Sequence, residues 1–317
     1  MSLAGIDCGT NSIRLLVGDV DEHGRLHESA RLMEIVRLGE GIDRTGEFSA
    51  AALDRTFSAI DRYAAVMTEL GVTRARFVAT SASRDARNRD AFVAGVRERL
   101  GIEPEVISGL EEAALSFTGA IRGLPGGLVV SPPLVVDIGG GSTEFVLGSE
   151  GPEHSVSVDI GCVRMTERHL HSDPPTPAEI DATWRDVKTA VETAGTAVPF
   201  GEAGCLVGLA GTVTTVAAMA MDLPEYDAEV LHGSVISTDE VADVTDRLLA
   251  MTKAERAVLP FMHPGRVDVI AGGAMVLLAA LQAAAQDHVI VSETDILDGI
   301  VYTIAAQTPQ TGLQRFM

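Results

Sequence analysis

Short apolar runs and longer amphipathic stretches alternate along the chain. Residues 3–8, 13–20 and 25–38 read as three strands joined by glycine-containing turns. An amphipathic helix follows. Ser49 serves as its N-cap, Leu53, Phe57, Ile60, Ala64 and Met67 recur at i+3/i+4 spacing, and Gly71 stops it. A strand at 75–80, a helix at 90–100, a strand at 104–108 and a helix at 109–122 come next. The Gly/Pro-rich stretch 123–133 then marks a boundary.

Beyond it the pattern restarts, with strands near 133–138, 143–149 and 154–160. A helix opens at Thr176-Pro177-Ala178-Glu179, which has capping-box spacing and proline at the first helical position. A strand at 204–209, several helices and a final helix over 296–307 complete this half. The restart is also visible residue by residue. Asp7-Cys8-Gly9-Thr10-Asn11-Ser12 and Asp137-Ile138-Gly139-Gly140-Gly141-Ser142 match in Asp, Gly and Ser at identical offsets, each after a short apolar strand. We read an internal duplication: two α/β domains, residues 1–124 and 125–317, with the last helix free to pack on either.

Composition narrows the function. At 317 residues and 46% apolar content, the chain has enough material for a core in each half. With 45 acidic against 24 basic residues, a net charge of -21 and 4% aromatics, a nucleic-acid partner is disfavoured. Any polyanion would need cations concentrated locally. Cys8, Cys162 and Cys205 are far apart and form no Cys-x-x-Cys, a reducing-compartment pattern, and no basic apolar leader opens the sequence. A cytoplasmic location is the expectation. Val269–Gln286 is uncharged, but it holds Gly272, Gly273, Gln282 and Gln286 and is rich in alanine, which predicts a buried helix rather than a membrane span.

Each Asp-x-Gly-x-x-Ser predicts a tight turn between antiparallel strands. Glycine lets backbone N–H groups approach an anion, and Thr10, Ser12, Ser142 and Thr143 add hydroxyl donors. One such turn is an ordinary hairpin; two opposed ones would clamp a phosphate chain. Asp7 and Asp137, buried in those turns, need a cation, and Mg²⁺ suits them. Gly208-Leu209-Ala210-Gly211-Thr212 reads as strand, turn and helix start, with amides pointing outward.

On the helix after Ile107, Ser108 and Glu111 have capping-box spacing, leaving Glu112 without a structural task. Leu110, Ala114, Phe117 and Ile121 form an apolar stripe, which places Glu112 on nearly the opposite side. The plain reading is a solvated carboxylate; the sharper one is a carboxylate aimed into a cleft between domains, able to orient or deprotonate water. Asp7, Glu112, Asp137 and Glu144 around one phosphate would repel strongly without cations. Arg84, Arg87 and Arg89 at loop positions after a strand, and Arg266 in His263-Pro264-Gly265-Arg266, are the candidates, since the arginine fork donates bidentately. No P-loop and no Gly-x-Ser-x-Gly is present, and the eight histidines show no metal-ligand spacing.

Taken in order, Ile6–Leu15, Ala79–Asn88, Ile107–Ala113, Asp137–Glu144, Asp159–Glu167 and Gly208–Thr212 resemble the exopolyphosphatase/guanosine pentaphosphate phosphohydrolase (Ppx/GppA) family of the sugar kinase–Hsp70–actin superfamily. The wording of the motifs looks most like its short actinobacterial members. The resemblance implies two ribonuclease-H-like domains with an interdomain active-site cleft, and Mg²⁺-dependent release of terminal phosphate from polyphosphate or guanosine pentaphosphate. It implies Glu112 as the residue that activates water, with Asp137 and Glu144 beside it. Gly9, Thr10, Asn11 and Ser12, with Gly139, Gly140, Gly141, Ser142 and Thr143, would be the phosphate loops. Gly211 and Thr212 belong to a further family segment, and Arg84 and Arg266 match positions that contact the chain. A homodimer is a further expectation, because family members often dimerise. Longer members carry extra C-terminal helical domains that help hold long polymers, whereas this sequence stops at Met317, which argues against processive action on very long polyphosphate and leaves short chains among the candidate substrates. Ser83 stands where an apolar residue usually precedes the arginine. Two competing readings remain: a superfamily kinase passing phosphate from ATP to a small acceptor, and a non-catalytic nucleotide-sensing module.

Overall fold

The structure is a computed structural model that describes residues 1–307. The chain divides into two compact units: Met1–Gly119 together with the helix that begins at Ile296, and Ala120–Asp295.

The first unit is built on a five-stranded sheet of order β3-β2-β1-β4-β5, made from β1 (Leu3–Cys8), β2 (Ser12–Val20), β3 (Leu26–Ile35), β4 (Arg74–Ala79) and β5 (Glu105–Val106). The first three strands form an antiparallel meander, and β4 and β5 continue it in parallel from the other side of β1. All six residues of β1 are buried, the signature of a strand covered on both faces. Ala4, Ile6 and Cys8 point into a core shared with Ile60, Tyr63, Phe92 and Val96 of helices Ala50–Glu69 and Arg89–Leu100. Leu3 points the other way, toward Leu297, Ile300, Val301 and Ile304 of the final helix, Ile296–Ala306. Gly5 permits that approach, since a Cβ there would stand 3.1 Å from Ile300 Cγ2. The helix is also tied to β3 by Arg31 Nη2, which donates to the buried Asp298 Oδ1 at 2.6 Å.

The second unit repeats the plan. Its sheet comprises β6 (Pro133–Ile138), β7 (Thr143–Leu147), β8 (His154–Val158), β9 (Cys205–Leu209), β10 (Val235–Ser237) and β11 (His288–Val291), in the order β10-β11-β9-β6-β7-β8. Again a three-strand antiparallel meander is extended by parallel strands, here β9 and β11, and β10 adds an antiparallel edge. The two sheets thus share one topology, as expected for two ribonuclease-H-like folds. Helix Ile270–Ala283, within the uncharged stretch, is buried continuously from Ile270 to Leu281 in the core of this unit. No helix among the described residues is long and apolar enough to cross a membrane.

Local signals were read by the backbone as written. Ser49 Oγ accepts from Ala52 N–H at the first long helix, and Gly71 adopts φ 62° just beyond its end. Thr176 and Glu179 complete a reciprocal capping box. Two expectations change. Arg84 lies in a short helix, Ser81–Asp85, rather than in a loop. Helix Gly109–Gly123 has no single apolar stripe: none of residues 112–121 is exposed, and Leu110 is instead 58% exposed. The more open side of the helix carries Leu110, Glu111, Ala114, Thr118 and Ile121, so Glu112 falls on the covered side and is 8% exposed rather than solvated.

Candidate active site

In the first unit the turn between β1 and β2 is closed by Gly9 N–H donating to Ser12 O at 2.9 Å. The turn carbonyls are held from outside: Thr10 O accepts from Gly39 N–H, and Asn11 O from the amides of Val36 and Arg37. Gly39 is needed for this close approach, because a Cβ would come 2.4 Å from Thr10 Cγ2. The carbonyls are consumed, but among the described residues the Thr10 amide donates to no protein acceptor, and its buried Oγ1 has no hydrogen-bond partner. Such a turn offers donors to an anion. Asp7 sits one residue before the pairing Cys8↔Ile13, directly opposite Arg14, whose Nε and Nη2 both donate to Asp7 Oδ2 at 3.0 and 2.7 Å. Both Arg14 donors thus engage the same carboxylate oxygen of Asp7.

Glu112 lies in the same unit, in the first turn of its helix. Arg84 Nη1 donates to Glu112 Oε2 at 2.6 Å and to Ile107 O at 3.1 Å. The arginine thus binds both the carboxylate and the strand end that leads into its helix. Ser83, fully buried beside it, has an Oγ with no hydrogen-bond partner. Glu111 takes half of the expected capping box: its amide donates to Ser108 Oγ at 3.2 Å, while its carboxylate accepts from Arg76 Nη2 at 2.5 Å. Arg87 and Arg89 are exposed; Arg87 donates to Thr45 O and pairs with Glu47.

The turn of the second unit is the counterpart of the first. Gly139 N–H donates to Ser142 O at 3.0 Å, and Ile138 pairs with Thr143 as Cys8 pairs with Ile13. Gly139 O accepts from Cys162 N–H, and Gly140 O from the amides of Val163 and Arg164, at the start of helix Cys162–His169. Arg164 Nε donates to Gly141 O at 2.7 Å, and Thr143 Oγ1 to Ile160 O at 2.7 Å. Once more carbonyls are tied down, and the amides of Gly140 and Gly141 donate to no acceptor among the described residues.

The two turns differ in the residue opposite the aspartate. Asp137, 6% exposed, faces Glu144, 1% exposed, in the β6–β7 register. Glu144 in turn faces Ser157 on β8, whose Oγ donates to Glu144 Oε1 at 2.7 Å. Two acids directly across an antiparallel pair are destabilising when ionised, and burial sharpens the repulsion. No group of three or more His, Cys, Asp or Glu side chains among the described residues is placed to hold a metal. Mg²⁺, however, takes one or two carboxylates and fills its shell with water and substrate phosphate. The buried Asp137–Glu144 pair beside a donor-rich turn fits that ion.

A third cluster surrounds Gly211 and Thr212, which begin helix Ala210–Ala220. Ala210 carries φ 67°, a left-handed conformation unusual for a residue with a side chain, and it turns the chain sharply from β9 into the helix. Arg266 lies against Gly211: a Cβ on that glycine would stand 2.3 Å from the guanidinium carbon. Arg266 Nη1 donates to Thr215 Oγ1 at 3.0 Å, and Thr215 Oγ1 donates to Gly211 O at 2.7 Å. The guanidinium carbon is 5.9 Å from the centre of the Tyr226 ring. The Tyr226 hydroxyl donates to Glu293 Oε1 at 2.5 Å and shares a hydrogen bond with Thr214 Oγ1 at 2.8 Å. Burial, then the Glu293 charge, pushes this phenol up to about 12, so it stays a neutral donor. Burial likewise pushes the Cys162 thiol up to about 11, which makes it inert.

Within the first unit the structure joins Arg84 to Glu112; within the second it sets Asp137 beside Glu144 and gathers Gly211, Thr212 and Arg266. Arg14, Ser157, Arg164, Thr215 and Tyr226 did not emerge as site residues from the sequence. Arg14 and Ser157 were legible only through strand register, and Tyr226 only through long-range packing.

Comparison with known proteins places the chain in a family. The model of the Ppx/GppA phosphatase family matches residues 16–308. Exopolyphosphatase 2 of Mycobacterium tuberculosis is 48% identical over 315 residues, covering 96% of this chain and 98% of the relative. A crystal structure of an exopolyphosphatase-like protein superposes with a TM-score of 0.92 at 42% identity, covering 96% of this chain and 99% of that one. The Aquifex aeolicus member of the Ppx/GppA family gives a TM-score of 0.78 at 28% identity, with coverage of 96% and 97%. A two-unit chain of actin/sugar kinase/Hsp70 fold, with a glycine turn and a buried acid in each unit, is thus a member of the Ppx/GppA phosphatase family.

Proposed function

We propose that this protein is an exopolyphosphatase, a phosphohydrolase that releases terminal phosphate from inorganic polyphosphate by attack of water. The observation that carries the proposal is the opposition of Asp137 and Glu144 at the mouth of a glycine turn with unused amides. The acids call for a divalent cation and the amides for an anion, so the site suits a metal-bound phosphate. The names of the relatives supply the substrate class.

In this reading Glu112 orients the attacking water and accepts its proton, as an ionised carboxylate held by Arg84 can. The amides of Thr10, Gly140 and Gly141, with the hydroxyls of Thr10, Ser12 and Ser142, bind phosphate oxygens, whereas Thr143 spends its hydroxyl proton on Ile160 O and, with Asn11, Gly9 and Gly139, shapes the turns. Arg266, presented over Gly211 and Thr212, binds a phosphate of the chain through its fork. Asp137 and Glu144 would hold Mg²⁺, which supplies charge neutralisation for the transferring group when bound. Guanosine pentaphosphate carries the same phosphoanhydride end and is the second substrate we propose.

Phosphate release from polyphosphates of defined length, from guanosine pentaphosphate and from ATP, each with Mg²⁺ or with a chelator, tests the proposal. Mg²⁺-dependent release from polyphosphate that Glu112→Gln abolishes is expected. Phosphate transfer from ATP to an added acceptor without free phosphate would assign a kinase instead. Nucleotide binding with no release above the Glu112→Gln level would leave a sensing module.

A further inference from the structure

Arg266 is a long side chain on a short 3₁₀ turn, Pro264–Arg266, and left to itself would sample many rotamers. Three contacts within the second unit restrict it. Gly211 leaves room for the guanidinium where any other residue would place a Cβ, at 2.3–2.5 Å from its atoms. Thr215 Oγ1, 1% exposed as a residue, accepts from Nη1 at 3.0 Å and passes its own proton to Gly211 O at 2.7 Å. The Tyr226 ring lies 5.9 Å from the guanidinium carbon, within the range of a cation–π contact. The ring is itself fixed through its hydroxyl to Glu293 and Thr214.

We propose that Tyr226 and Thr215 are positioning residues that hold the Arg266 fork over the Gly211 backbone, ready for a phosphate of the substrate chain. The inference rests on the reading of Arg266 as a phosphate contact. Each restraint uses one face or one nitrogen of the guanidinium. Nη1 is turned toward Thr215, which directs the fork relative to the helix start. Fixing a side chain before the ligand arrives removes part of the ordering cost of binding. The consequence appears in the affinity for substrate more than in the chemical step. Neither residue touches the reacting phosphorus in this scheme.

The test is a mutant cycle read by steady-state kinetics on polyphosphate, with thermal melts to confirm folding. Tyr226→Ala is expected to raise KM about 3- to 10-fold with kcat within about 2-fold, and Tyr226→Phe, which keeps the ring, recovers most of the loss. In the Arg266→Ala background, Tyr226→Ala should change KM no further. The inference is overturned if the Tyr226→Ala and Arg266→Ala effects multiply, or if Tyr226→Ala leaves KM unchanged while Arg266→Ala raises it. If Arg266→Ala itself leaves kcat/KM intact, the phosphate-contact reading of Arg266 fails and this inference falls with it. Thr215→Val, close in shape, supplies the same cycle should Tyr226→Ala prove unstable.

Discussion

Asp137 stands directly opposite Glu144 in the register of β6 and β7, both carboxylates buried. The equivalent position of the other unit pairs Asp7 with Arg14. One turn sets an arginine across from its aspartate, and the other sets a second acid there. Two unit charges 4 Å apart repel by about 4 kcal/mol at an effective dielectric of 20, enough to favour uptake of a divalent ion.

Divalent cation is therefore expected to stabilise the protein. Saturation at about 100 times Kd adds roughly 2.7 kcal/mol, visible as a rise in Tm that a chelator reverses. Asp137→Asn and Glu144→Gln should each raise the metal-free Tm by relieving repulsion, while removing most of the Mg²⁺-induced shift. Equal shifts in wild type and both variants would rule out this pair as the ion's site.

The Arg84–Glu112 contact gives a kinetic expectation. Glu112→Gln keeps the shape and should lower kcat by about 10²- to 10⁴-fold while substrate affinity, measured by titration, stays near wild type. Retained turnover would remove Glu112 from the mechanism.

Arg14 tests the other turn. Breaking a largely buried ion pair from one side leaves a charge uncompensated, so Arg14→Ala should cost about 2–4 kcal/mol in denaturant unfolding. Asp7→Asn combined with Arg14→Ala should recover a good part of that loss, because the stranded charge is gone. An additive double variant would mean that the pair is not coupled.

Glu179 offers a pH test away from the site. The Thr176 amide donating to Oε2 at 2.7 Å, helped by the Thr176 hydroxyl and the Ser172 and His171 donors, holds this carboxyl down at about 2 against the opposing effect of desolvation. Its folded pKa lies below its unfolded value. The capping box therefore contributes fully above pH 4.5, the ordinary value, and the contribution fades as pH falls toward 2. The stability difference between wild type and Glu179→Gln, followed by melts across that window, should shrink with acid. A difference independent of pH would contradict it.

Local chemistry made much of this chain legible before any coordinates. Ser49, Gly71 and the Thr176–Glu179 box act within one turn of backbone, and their geometry depends on neighbours in sequence. The repeated Asp-x-Gly-x-x-Ser foretold two turns that close with the same hydrogen bond, because a four-residue connection between antiparallel strands leaves little other choice. The uncharged stretch around Ile270–Ala283 had to be buried somewhere.

Where each functional side chain points was settled otherwise. The 3.6-residue period set Glu112 opposite the Leu110–Ile121 stripe, but that stripe lies on the more open side of the helix and Glu112 on the covered one; periodicity separates two faces without saying which of them the rest of the fold covers. That Arg84 reaches Glu112 from 28 residues away, or that Tyr226 lies against Arg266, depends on packing between distant elements. The sequence by itself determined the strands, the turns and the duplication, since these follow from short-range backbone preferences. Only the tertiary structure decided that one aspartate meets an arginine and the other a glutamate, because strand register and long-range packing choose the partner of a buried charge.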